Sequence, residues 1–154
     1  MQKVVLLAHS WLRWALLILL LVALVQAYRG WLGNKSWTDG HKRLNLFTMI
    51  TTDIMLTLGL ILYVWPGSWG KMLFTATKAV MKSRVLRFWS VEHISMMILA
   101  VILIHIGYAK AKRIREDVRK HKSIALFYTF ALLIIIASIP WPFIPKIGRA
   151  LFRF

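Results

Sequence analysis

Four stretches of the chain are almost wholly apolar, each over about 18 residues or more, the length a helix needs to cross the hydrocarbon of a bilayer. They cover residues 4–28, 44–65, 88–109 and 123–139. A soluble domain of this size alternates apolar and polar positions to make a half-buried surface. Here the polar residues collect between the blocks instead. Backbone amides in hydrocarbon must be satisfied within the chain, so each block is a helix or part of a closed barrel. Barrel strands alternate with a period of two, and these blocks do not. The pattern therefore predicts an all-α integral membrane four-helix bundle, one transmembrane domain over residues 1–154.

Turn residues mark the ends of the blocks. Gly30, Gly33, Asn34 and Thr38-Asp39-Gly40 follow the first, and Pro66-Gly67 ends the second. Pro140, Pro142 and Pro145 prevent continuation of the fourth. Trp31, Trp37, Trp65, Trp69, Trp89 and Trp141 lie near block ends, as in the aromatic belts of membrane proteins. Four spans put both termini on one side. The first block is too long for the apolar region of a signal peptide and carries His9 and Arg13, so it reads as a retained span. Between the second and third blocks, Lys71, Lys78 and Lys82 recur at helical spacing beside Met72, Ala76, Ala79, Val80 and Leu86. That pattern predicts an interfacial amphipathic helix, with docking of an acidic partner as its alternative use.

The formal net charge is +16, from 21 Lys and Arg against 5 Asp and Glu. Such a balance suggests nucleic acid in a soluble protein. Here the basic residues flank the apolar blocks, where they meet anionic lipid headgroups, so no nucleic-acid partner is expected. They are shared almost evenly between the two sides, with a slight excess on the side of the 29–43 and 110–122 connectors. The positive-inside rule then leans toward termini outside the cytoplasm. The chain has no cysteine, which excludes disulfides, thiolate metal ligands and covalent haem attachment.

Ionisable side chains inside a span are costly and mark function. His9 in the first helix and His93 in the third each lie about five residues, or 7–8 Å, below the side that bears the termini. Two imidazoles at matched depth on different helices suit axial ligation of a b-type haem wedged between them. Toward the other side, His105 near the end of the third helix and His41 before the second form a second candidate pair. His93 and His105 are 12 residues apart, about 18 Å along the axis and about 120° around it, so either each faces a different neighbouring helix or His105 simply sits at the headgroup level. His121, in the charged connector, is expected in solvent. Met96 and Met97 flank His93 and read as packing.

Arg13 follows His9 by four residues and shares its face. Arg13 and Asp53 both lie near mid-membrane, and an ion pair is the least costly way to hold them. Such a pair is structural, or serves a quinone or proton site, with Arg13 alternatively clamping a haem propionate. Asn45, Thr48, Thr51, Thr52 and Thr57 either line that cavity or bond along and between helices.

The run Val91-Glu92-His93 through His105-Ile106-Gly107, with His9 in the first helix, resembles the small four-helix membrane b-type cytochromes. The resemblance implies one or two haem b groups on His9 with His93 and on His41 with His105. It implies electron transfer between the quinone pool and a protein partner, within a larger membrane complex or a homo-oligomer, in a bacterial inner membrane. His9 and His41-Lys42-Arg43-Leu44 also resemble the four-helix bacterial protoporphyrinogen oxidase family, although Glu92-His93 stands where that family carries a lysine. That resemblance implies a haem-containing oxidase. A haem-free accessory subunit, docked through its basic loops, is the remaining reading.

Overall fold

The computed structural model describes residues 1–151 of the chain, and these contain helices and no strand. Four helical runs are long and apolar enough to cross a membrane. The elements are α1 (Gln2–Leu32), α2 (Asp39–Val64), the short α3 (Trp69–Thr75), α4 (Thr77–Lys82) and α5 (Arg84–Arg87), a π-helical turn (Phe88–Glu92), α6 (His93–Arg113) and α7 (Asp117–Ser138).

The helices outrun the apolar blocks that predict them. At the start of α2, the Thr38 hydroxyl accepts the His41 amide while the Thr38 amide donates to His41 Nδ1 at 3.0 Å. This reciprocal cap satisfies two amides that a helix start leaves open, so α2 begins before its apolar run. Asp117 opens α7 and accepts from the Trp37 amide at 2.9 Å and from Lys120 at 2.7 Å. Its carboxylate suits the positive end of the helix dipole and pins the α1–α2 connector to α7. The connector expected over 110–122 shrinks to residues 114–116.

Segment 71–87 forms three short helical pieces, α3, α4 and α5, where one amphipathic helix was expected. Breaks fall at Ala76 and at Ser83, whose hydroxyl caps the Leu86 amide. Val80 is buried while Phe74 and Met81 are exposed.

α1 packs against α2 and α7, and α6 packs against the same two helices, so α1 and α6 face each other across the interior. Toward the connector end, the interior is solid. Leu17, Leu20, Ala23, Leu24 and Ala27 of α1 meet Ile104 and Ala111 of α6 and Ile124, Ala125, Tyr128 and Ala131 of α7. The alanines permit close backbone approach, which drives helix association where no hydrophobic effect operates. Here the structure corrects the expectation for His121. Its side chain lies on α7, 0% exposed, against Gly30 of α1, where any Cβ would collide with the imidazole. A glycine on the facing helix is what admits the ring.

Candidate functional site

Toward the end that bears the N-terminus, the same four helices, with the 67–70 segment and the tail beyond α7, line a partly open cavity of about 420 Å³. That volume is within the range of small-molecule and cofactor sites. Its wall is mostly apolar, from Leu16, Met55, Leu62, Trp89, Met97 and Ile135. Set into it are His9, Ser10 and Arg13 of α1, Thr52 of α2, His93 of α6 and, beyond α7, Arg149.

The geometry at His93 fixes its chemistry. Nδ1 lies 2.9 Å from the backbone carbonyl oxygen of Ser138, at the end of α7. A carbonyl only accepts, so Nδ1 carries the hydrogen and the lone pair of the neutral ring is on Nε2. A histidine whose second nitrogen donates to a carbonyl is the usual arrangement of a metal-ligating imidazole, oriented and set in one tautomer.

The backbone before His93 is built for this placement. The π-helical turn inserts an extra residue into the helical run and re-aims the side chains that follow, a feature common at functional sites. Its position is held by Tyr63, whose hydroxyl donates to the Ser90 carbonyl at 2.8 Å, and by the Ser90 hydroxyl, which donates to the Trp69 carbonyl at 2.6 Å. Arg87 and Glu92 pair across it at 2.7 Å.

On the opposite wall, His9 lies against the Met55 backbone. Its Nδ1 is sealed from solvent and has no hydrogen-bond partner among the described residues. A buried nitrogen without a partner costs about 1–3 kcal/mol, unless a bound group satisfies it. Gly59 of α2 makes room for this ring. A Cβ there would stand 3.3 Å from His9 Cε1.

Arg13 closes one edge of the cavity, where Nη2 donates to the Leu151 carbonyl at 2.7 Å. The Trp14 indole donates to the same oxygen at 3.2 Å. The tail beyond α7 therefore folds back onto α1. It also delivers Arg149, whose guanidinium carbon sits 5.2 Å from the Trp89 ring centroid. Arg149 is not legible as a cavity residue in the sequence. It follows a proline-rich segment with no helical period to assign it a face.

The remaining candidates lie elsewhere. Asp53 does not pair with Arg13. Its Oδ1 meets Nε2 of His105 on α6 at 3.2 Å. His105 Nδ1 donates to the Val101 carbonyl one turn back, at 3.0 Å. The structure does not bring His41 and His105 together. His41 stacks on Trp37 at 5.5 Å and meets the edge of His121 at 4.8 Å, and its Nδ1 is engaged in the α2 cap. Depth along the helix set these expectations, and rotation about it decides the partners. His93 turns toward α7, and His105 turns toward α2.

Asn45, Thr48, Thr52 and Thr57 bond back to carbonyls four residues earlier in α2. Of these, Thr52 also lines the cavity. Among the described residues, no group of three or more His, Cys, Asp or Glu side chains is placed to hold a bare metal ion. Two axial imidazoles need no third side chain, because a macrocycle supplies the other four nitrogens. Comparison of the chain with protein families, with curated proteins and with solved structures finds no match.

Proposed function

We propose that the protein is a membrane haem b carrier that passes electrons between the quinone pool and a protein partner. The carrying observation is the His93–Ser138 hydrogen bond, which leaves the lone pair on Nε2 in a cavity shared with His9, whose Nδ1 has no hydrogen-bond partner among the described residues. His9 and His93 would hold one haem between them. Bound there, the iron supplies a one-electron couple. Arg13 and Arg149 stand at the cavity wall as partners for the two propionates, the bidentate recognition for which guanidinium is suited. The mostly apolar wall would suit the porphyrin face.

In this reading the four spans form a bundle in a bacterial inner membrane. The 69–87 segment lies along the headgroups, with Lys71, Lys78 and Lys82 exposed to anionic lipid. Its basic surface is also where a larger complex would dock.

The test is the visible spectrum of the detergent-purified protein, oxidised and dithionite-reduced, with a pyridine haemochrome count. The expected result is a sharp reduced b-type band at one haem per chain. A colourless but intact protein from haem-replete cells would overturn the reading in favour of a haem-free subunit. Turnover of protoporphyrinogen by the purified chain would instead favour the oxidase.

A further inference from the structure

The end of the molecule opposite the His9–His93 cavity carries a second hollow, of about 270 Å³, lined by Gln26, Arg29 and Gly30 of α1, Lys35 of the connector and His41 of α2. The chain builds it by turning back at the end of α1. The Gly33 amide donates to the Arg29 carbonyl at 3.1 Å, and the Lys35 amide donates to the Gly30 carbonyl at 3.0 Å. Asn34 between them takes the left-handed conformation, φ 48°, which asparagine tolerates better than most residues. Lys35 is thereby returned to the helix end that bears Arg29.

The charged and imidazole groups around this hollow present donors. His41 Nδ1 accepts the Thr38 amide at 3.0 Å, so the ring hydrogen is on Nε2, which has no hydrogen-bond partner among the described residues. The ring is held by stacking on Trp37 at 5.5 Å and by the edge of His121 at 4.8 Å. Arg29 and Lys35 are exposed, and among the described residues no carboxylate pairs with either. Asp53, Glu92, Glu116 and Asp117 are taken by other partners. The helix dipole accounts for one cation in the last turn of α1. It does not account for a second cation and an imidazole N–H lining the same hollow. Two positive charges and an N–H donor select an anion, and guanidinium binds phosphate in a bidentate manner.

The surroundings decide which anion. Trp31 and Trp37 stand at the same end, with the Lys122 ammonium 5.3 Å from the Trp31 ring, so the hollow is at headgroup level. Below Arg29 on α1 come Val25, Val22 and Ile18, spaced so that each lies within about 40° of Arg29 around the helix. All three are exposed, at 55%, 42% and 62%. An apolar track therefore runs from the guanidinium toward mid-membrane, which a free anion does not need and an acyl chain does.

We infer that this hollow binds the phosphate of one anionic phospholipid, with Arg29, Lys35 and His41 on the headgroup and an acyl chain along Val25, Val22 and Ile18. Basic hollows between transmembrane helices take such headgroups. The site stands whether or not the opposite cavity holds haem, and it differs from the general attraction of basic loops in holding one lipid per chain.

The test is native mass spectrometry of the full chain, released from detergent micelles after titration with phosphatidylglycerol or with phosphatidylcholine of the same acyl chains. One phosphatidylglycerol per chain is expected to bind saturably, about tenfold tighter than phosphatidylcholine. Arg29→Gln combined with Lys35→Gln should abolish the preference. Gln26→Trp, which fills the hollow and keeps both charges, should do likewise, while Lys78→Gln combined with Lys82→Gln should leave it intact. An equal loss in the Lys78 and Lys82 variant, or no loss in either hollow variant, would mean an unspecific basic surface and overturn the assignment. Inorganic phosphate at matched ionic strength should leave the lipid bound. Displacement of the lipid by it would overturn the lipid assignment in favour of a free anion.

Discussion

The Nδ1 atom of His93 and the backbone carbonyl of Ser138 meet at 2.9 Å, joining the start of α6 to the end of α7. No side-chain substitution at Ser138 removes that acceptor, because it is backbone. The orientation of His93 is therefore tied to where α7 stops, and α7 stops where Pro140 forbids a further turn.

His93→Gly is expected to abolish haem retention while the helices persist. Added imidazole should restore the six-coordinate spectrum by replacing the lost ring. The measurement is a titration of the purified variant with imidazole, followed in the visible band. Failure of rescue in a folded variant would count against direct ligation.

Gly59→Leu should lower haem content without unfolding the protein. Its side chain would extend into the space beside His9 Cε1, which a Cβ alone approaches at 3.3 Å. Haem-to-protein ratio and far-ultraviolet circular dichroism, measured together, separate a blocked cavity from a lost fold.

Gly30→Ala tests the packing of the other half. The added methyl collides with the His121 ring, which has no exposed side to retreat toward. Overpacking of this kind costs about 1–3 kcal/mol. Thermal unfolding in detergent should show a lowered midpoint. Gly30→Ala combined with His121→Ala should recover much of the loss.

Thr38→Ala removes the hydroxyl of the α2 cap and should cost about 1 kcal/mol. Hydrogen exchange at the first turn of α2 should accelerate, with little change at Thr48 or beyond.

The four spans were legible because the need to bury backbone polar groups writes itself as uninterrupted apolar sequence. The shared cavity of His9 and His93 was legible from depth, since both lie about one and a half turns from the same end. The partner of Asp53 was not. Arg13 and His105 are both within reach by depth, and only the rotation of α6 between α2 and α7 selects His105. His121 was misread for a related reason. Its surroundings in the sequence are charged, and its burial depends on a glycine about 90 positions away on another helix. The breaks at Ala76 and Ser83 were also hidden, because lysine spacing reports a periodicity without the local caps that interrupt it.

The division of the interior into a solid half and a hollow half bears on how the protein is made. The solid half joins α1, α6 and α7 through contacts that require no bound group. Assembly in the bilayer can thus finish there first, leaving a standing receptacle at the opposite end. Under the proposed haem reading, loading would be the last act of biogenesis. A shortage of prosthetic group would leave an intact, waiting apoprotein in the membrane, and a later supply would mature it without new synthesis.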